Sequence, residues 1–307
     1  MSTPKISVIL PTHNPRHDYL ITALDALKAQ SLPTDEWELL VIDNASDQML
    51  PEHDLLSSDE PSRTRVITEK QLGLTKARQC GIRNARAELI VFVDDDNVLS
   101  PSYLETALAL MTSHDELGVY GGKVIPRFES APPDWIEEFI PLLACQDFGE
   151  EVHLSGPFDG SYPKYSPVGA GMVVRTTSAI HWADSSSIAI TDRSGSELSS
   201  GGDNDIILHI LKNGQSTGWF PSLTLDHLIP DTRVEPAYLA RLNEGIQKSW
   251  MQLNTLHGIN PWPPIHSWTL LLRILKAWIS HQGWNYPIGY IRWKGACGHF
   301  KGRIKHS

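Results

Sequence analysis

Cysteine is scarce in this chain of 307 residues. Cys80, Cys145 and Cys297 stand far apart and odd in number, which argues against a disulfide framework or a thiolate zinc site and fits a reducing cytosol. Long apolar runs are missing as well. None reaches the ~20 residues that a membrane-crossing helix needs. Met1-Ser2-Thr3-Pro4-Lys5 leads straight into an apolar stretch, with nothing that resembles a secretory leader. Two phosphate-binding signatures are also lacking. No G-x-G-x-x-G joins the first apolar run to a helix, which argues against a dinucleotide fold. No G-x-x-x-x-G-K-[ST] occurs either: Gly118 and Gly122-Lys123 fall one residue short, and Val124 follows. Finally, acid disappears after Glu244. The last 63 residues hold eight Lys and Arg and no Asp or Glu, so the first 244 carry −18 of a net charge of −10. Six of the ten tryptophans lie in that same acid-free stretch. The length suits one large domain with an appendage or two domains, and the change of composition suggests a catalytic unit over residues 1–234 and a basic, Trp-rich helical region over 235–307.

What is present alternates between strand and helix. Ile6–Leu10, Trp37–Ile42, Arg65–Thr68 and Leu89–Val93 are short apolar runs of the kind buried on both faces of a parallel sheet. Between them, His17–Gln30 and Leu74–Arg86 read as helices. Pro101–Ser113, Asp203–Asn213 and a strand at Trp219–Leu225 continue the order, with a loop-rich stretch over 150–168. Such alternation predicts an α/β fold with a mostly parallel central sheet, flanking helices and a C-terminal helical appendage.

Polar residues gather where these strands end. Pro11-Thr12-His13-Asn14 follows the first and Asp43-Asn44 the second. The fourth stops at Asp94-Asp95-Asp96. In a parallel sheet all three sets reach one edge, where ligands bind. If the acidic stretch stays extended, Asp94 and Asp96 point the same way, and two hard oxygen ligands on one face suit Mg²⁺ or Mn²⁺ shared with a substrate phosphate. Gly73 opens the next helix, whose N-terminus attracts phosphate, with Lys76 and Arg78 in its first turns. Together these describe a nucleotide-diphosphate pocket. Taken singly, the acids also read as a solvated turn, and Asn14, Asp43 and Asn44 as ordinary turn and capping residues.

The segments Ile6-Ser7-Val8-Ile9-Leu10-Pro11-Thr12-His13-Asn14, Val41-Ile42-Asp43-Asn44-Ala45-Ser46, Gly73-Leu74-Thr75-Lys76-Ala77-Arg78 and Phe92-Val93-Asp94-Asp95-Asp96 resemble, in this order, the family-two glycosyltransferases. The resemblance covers roughly residues 5–230. It implies the A-type glycosyltransferase fold, a nucleotide-sugar donor (a UDP-sugar above others), a divalent metal and inversion at the anomeric carbon. Pro11, Thr12, Asp43 and Asn44 would then touch the nucleoside, with Asn14 and Gly73 beside them and Arg78 near the acids. Asp94 and Asp95 would face the ribose and metal shell, and Asp96 would ligate the metal. Two departures concern the base and the sugar: His13 replaces a usual aromatic residue, and Asn44 a common second acid. Asp203, in Gly201-Gly202-Asp203-Asn204-Asp205, resembles the family's acidic pair near the acceptor, although Gly202 replaces its first acid. It is the candidate general base for the incoming hydroxyl, with Asp205 in reserve; an Asp before an apolar-faced helix is also a normal cap. His227 resembles a third metal ligand, and Arg233 could reach the diphosphate with its fork of donors. Trp135 and Trp182 could stack on a sugar or simply pack in the core.

The expected acceptor is a carbohydrate or lipid-linked saccharide in cell-surface polysaccharide or glycolipid synthesis, with no role for nucleic acid. Two other readings compete. A sugar-1-phosphate nucleotidyltransferase would want a glycine-rich loop after the first strand, and Pro11–Pro15 offers none. A silent carbohydrate- or nucleotide-binding module would not need the acids, Asp203 and His227 together. In the tail, Trp268–Ile279 is apolar with Arg273 and Lys276 interrupting, too short to span but suited to a lipid surface. A cytoplasmic location, peripheral on an anionic membrane surface, is therefore expected; the alternative is a helix packed on the catalytic unit.

Overall fold

The computed structural model describes residues 3–48, 63–185 and 201–305. Its elements are β1 (Ile6–Thr12), α1 (His17–Lys28), β2 (Trp37–Asn44), β3 (Thr64–Glu69), α2 (Leu74–Asn84), β4 (Leu89–Phe92), β5 (Asn97–Leu99), α3 (Tyr103–Ser113) and β6 (Leu117–Phe128). A 3₁₀ stretch at Asp134–Leu143 precedes β7 (His153–Ser155), β8 (Val173–Arg175), α4 (Thr176–Asp184), α5 (Gly202–Lys212) and β9 (Ser216–Ile229). A 3₁₀ turn at Asp231–Arg233 leads to α6 (Pro236–Leu256), α7 (Leu270–Ser280) and α8 (Ile288–Gly302).

The strands form one sheet in the order β3-β2-β1-β4-β8-β6-β9-β5, with β7 pairing on β9. Half of it is the expected parallel arrangement: β3, β2, β1 and β4 run the same way. The other half is mixed, because β8 is antiparallel to both β4 and β6, and β5 and β7 are antiparallel to β9. β1 and β2 are buried along their whole length, as befits apolar strands covered by helices on both faces. Glu38, at the start of β2, is compensated: it accepts from Ser7 Oγ at 2.7 Å and from the Arg86 backbone N–H at 2.8 Å, and pairs with Arg65 at 3.0 Å. A buried carboxylate without such partners would cost several kcal/mol.

Apolar side chains pack on both sides of the sheet. One cluster joins Val8, Leu10, Leu24 and Tyr120; the other joins Ile9, Ile42, Ile82, Trp182 and Ile207. The first cluster also takes in Leu239, Ala240 and Leu242 of α6 and Ile291 of α8. The C-terminal region is therefore not wholly an appendage, since its first and last helices share the main core. α6 and α8 are further tied by Glu244, which pairs with Lys294 at 2.7 Å and with Lys301. Gly298 allows the close approach, because a Cβ there would strike the Glu244 backbone. Among the described residues, no helix is long and apolar enough to cross a membrane.

Candidate functional site

β1, β2 and β4 run parallel and bring their carboxyl ends to one edge, where a cavity of about 270 Å³ opens. Of the residues singled out in the sequence, Pro11, Thr12, Asn44, Arg78, Asp94, Asp95, Asp96, Asp203, His227 and Arg233 line it. A larger opening of about 950 Å³, between Leu256, Trp262 and Lys305, shares no residue with it and contains no acid.

The acidic triplet does not stay extended. β4 ends at Phe92, and a turn closes as the Asn97 N–H donates to the Asp94 carbonyl at 3.0 Å. The alternation expected of a strand is lost there, so the three carboxylates meet different partners. Asp94 faces Arg78, 3.7 Å away, and its Oδ1 is buried with no hydrogen bond. Asp95 is half-buried and accepts from Thr12 Oγ1 at 2.5 Å. Burial, with the neighbouring Asp96 charge, lifts its carboxyl to about 7. Asp96 accepts from Arg233 Nη1 at 2.9 Å and lies 3.3 Å from His227 Nε2 through the same oxygen.

Sheet register explains that last meeting. β5 pairs with β9 so that Asn97 lies opposite His227, and the Leu228 N–H donates to the Asp96 carbonyl at 2.8 Å. His227 thus lies within β9, not beyond the end of the last strand as the sequence suggests. Burial alone would push its imidazole down; the adjacent Asp96 carboxylate outweighs this and lifts it to about 10. Once His227 gives up its proton, an oxygen and an imidazole nitrogen beside one another suit Mn²⁺, and Asp94 Oδ1, which meets Arg78 at 3.7 Å but has no hydrogen bond, is a further oxygen in the same cavity. The expected Asp94–Asp96–His227 set is nevertheless not assembled: among the described residues no three such groups are arranged to hold an ion. The guanidinium of Arg233 sits on Asp96 instead.

Asp203 stands in the first turn of α5 without capping it. Its carboxylate accepts from the Gly169 N–H at 3.0 Å and is paired with Arg78. Arg78 is buried, packs over the Phe92 ring at 5.2 Å and so bridges Asp94 and Asp203. It lies beside the acids, as the resemblance implies, but is committed to this bridge and not free to receive an anion at the helix N-terminus.

Other expected residues are occupied locally. Asn44 donates to the Glu69 and Gln71 carbonyls at 3.2 and 2.8 Å and accepts from the Gly73 N–H at 2.8 Å, pinning the loop before α2. That commits the Gly73 N–H, so this donor is not offered to phosphate. Asp43 receives the Ser46 N–H at 3.2 Å, and Asn14 exchanges bonds with Asp47; neither lines the cavity. Asp205 also fails to line it: its two oxygens accept from Trp182 Nε1 at 2.8 Å and meet His257 Nε2 at 2.7 Å in a buried setting. It is not placed to serve as a reserve base. Trp182 packs in the core, while Trp135 is half-buried against Phe139. Residues 186–200, which lead up to the Gly201-Gly202-Asp203 segment, lie outside the described residues.

Gly169 was missed. A Cβ at this position would meet Asp203 Cγ at 2.5 Å and Arg78 Nη2 at 2.6 Å. The Gly169-Ala170-Gly171 run before a strand was the available signal. Cys145, whose thiol lies 3.7 Å from His227 Nδ1, was missed as well, and nothing in its sequence surroundings pointed there.

The family model for glycosyl transferase family 2 matches residues 7–158. The chain is 26% identical over 166 residues to EpsH of Bacillus subtilis, which bears a glycosyltransferase name, covering 54% of this chain and 46% of that one. It is 30% identical over 111 residues to the poly(ribitol-phosphate) beta-N-acetylglucosaminyltransferase TarS of Staphylococcus aureus, covering 36% and 19%. It is 22% identical over 155 residues to a glucosyl-dolichyl phosphate glucuronosyltransferase of Haloferax volcanii, covering 49% and 48%. These matches span less than half the length of each relative.

Proposed function

The chain belongs to glycosyl transferase family 2 through its residues 7–158, and from that premise we propose that it moves a sugar from a UDP-sugar to a hydroxyl of a carbohydrate or lipid-linked saccharide, with inversion. Its sheet and flanking helices are the A-type glycosyltransferase fold. Sugar transfer in polysaccharide synthesis is the activity of its relatives' class. The donor, the stereochemistry and the acceptor are our reading. The names of two relatives, a poly(ribitol-phosphate) transferase and a dolichyl phosphate transferase, favour an acceptor held on a polymer or lipid carrier.

One observation carries the reading: a cavity at the carboxyl end of the parallel strands joins an acid–guanidinium bridge, Asp94–Arg78–Asp203, to a second polar group, Asp95–Asp96–His227–Arg233. Each side suits a different part of the reaction. Asp203, partly exposed and fixed by Arg78 and Gly169, is placed to take the proton of the acceptor hydroxyl. Pro11, Thr12 and Leu72, which also line the cavity, give the nucleoside a wall. Arg233 brings positive charge to the place where charge grows on the departing diphosphate. Asp96 and His227 would hold Mn²⁺ or Mg²⁺, which when bound supplies Lewis-acid stabilisation of that leaving group.

The test is to incubate the full chain with a panel of nucleotide sugars and saccharide acceptors, in the presence of Mn²⁺ and then of a chelator. Release of nucleoside diphosphate with sugar transfer supports the proposal, and its loss with chelator supports the metal. Pyrophosphate chemistry, or binding without turnover on every donor, would overturn it.

A further inference from the structure

α7 is the one helix of the described residues whose outward face is built from large apolar side chains. Trp268, Leu271, Leu272, Leu275 and Ile279 recur at helical spacing and form a single stripe. Trp268, Leu271 and Leu272 are 75%, 78% and 67% exposed. Only Ala277 of this helix is buried. Its inward side is held by Trp278, whose ring meets Trp293 of α8 edge-on at 4.7 Å, and by the Trp293 Nε1–H, which donates to the Ile274 carbonyl at 3.2 Å. The outward stripe is therefore not a helix waiting to fold back, because its docking side is already used. Trp284 and Tyr286, just beyond the helix, are exposed too.

Charge names the occupant. Arg273 and Lys276 border the stripe and are exposed, and among the described residues no carboxylate pairs with either. By contrast Arg292, Lys294 and Lys301 are neutralised by Glu138 and Glu244. No acid occurs anywhere after Glu244. An apolar stripe edged by unpaired cations, with amphipathic Trp and Tyr rings at its ends, matches the boundary between headgroups and acyl chains.

We propose that α7, with Trp268 and Trp284, seats this protein on the surface of an anionic lipid bilayer. The helix lies in the plane of the interface; its 11 residues are too few to cross. This surface stands apart from the cavity and does not depend on which sugar is transferred.

Co-sedimentation of the full chain with phosphatidylcholine vesicles, with and without phosphatidylglycerol, tests it. The protein should pellet with the anionic vesicles and be released by salt. L271S/L275S should remove binding at least tenfold, and R273Q/K276Q about 25-fold, near fivefold per cation. Both variants replace exposed groups, so circular dichroism and melting should stay unchanged. Nucleoside diphosphate release on a soluble acceptor, measured alongside, separates failure of the surface from failure of the reaction. Wild-type protein left in the supernatant, or variants that pellet as well as wild type, would overturn the proposal. So would a dimer that L271S/L275S dissociates without any vesicle binding, which would assign the face to a second copy of the chain.

Discussion

Substituting Gly169 tests whether the Arg78–Asp203 bridge is part of the machinery or only part of the scaffold. The added methyl of Gly169→Ala would sit 2.5 Å from Asp203 Cγ and 2.6 Å from Arg78 Nη2. Ordinary carbon contacts lie near 3.5–4.0 Å, so both groups must give way by about an ångström. Asp203 borders the cavity and has room to retreat, and the tip of Arg78, buried against Phe92, must shift with it. Overpacking costs roughly 1–3 kcal/mol, and a yielding carboxylate places this case at the low end, a fall in Tm of about 2–4 °C. Catalysis should suffer more. A base misplaced by about 1 Å loses on the order of 100-fold in rate. The expected result is a hundredfold fall in kcat with a small loss of thermal stability. Gly156→Ala, which adds its methyl to open space, is the control and should change neither quantity. If Gly169→Ala melts lower yet transfers sugar at the wild-type rate, the bridge is structural and the assignment of Asp203 fails.

Three further outcomes are expected. Asp203→Asn should keep donor binding, measured by calorimetry, and lose transfer, whereas Asp205→Asn, whose carboxylate faces Trp182 and His257 instead of the cavity, should retain most activity; equal losses would refute the division of roles. Asp96→Ala should abolish turnover and remove any dependence of donor binding on Mn²⁺, because both His227 and Arg233 then lose their shared carboxylate; unchanged metal dependence would exclude Asp96 as a ligand. Burial alone would push Glu244 up, but the Lys294 and Lys301 ammonium groups hold it below the usual carboxylate range. Its folded value being depressed, its stabilisation is present above about 4.5 and lost as pH falls through the folded value. The melting temperature of Glu244→Gln should therefore lie below wild type at neutral pH, and the two should converge in acid.

The parallel half of the sheet was legible because its strands are apolar throughout and each ends in polar residues. β5 and β7 were not, since three residues each are too few to display a period. Their antiparallel pairing is set by neighbours far away in sequence. The acidic triplet shows where pattern reasoning breaks. Alternation holds only while the chain stays extended, and the Asp94–Asn97 turn cancels it one residue into the motif. Residue type likewise marked Asn44 and Arg78 as polar groups at the right edge without revealing their partners. Asn44 spends its amide on the loop before α2, and Arg78 meets an acid 125 positions away. Gly169 escaped notice for the same reason: its value lies in the space it leaves for two side chains distant in sequence.

The compositional break after Glu244 has two physical sources that the sequence merges into one. The break falls inside α6, a continuous 21-residue helix whose first turns pack in the main core, and not at the expected boundary between residues 234 and 235, just ahead of that helix. Glu244, the last acid of the chain, is the partner of two of the cations that follow it. Part of the basic excess is thus the far half of ion pairs that fasten α8 to α6. His257 beyond α6 reaches Asp205 on the helix that carries Asp203, so the C-terminal region also braces the candidate base. Once those pairs are set aside, Arg273 and Lys276 remain without a carboxylate partner among the described residues, on the helix that turns its leucines outward, as do Lys248, Arg303 and Lys305 elsewhere in the region. A uniformly basic tail would attract anionic surfaces along its length. The α7 stripe adds an apolar face that such a tail lacks, and L271S/L275S separates the two cases because it leaves every cation in place.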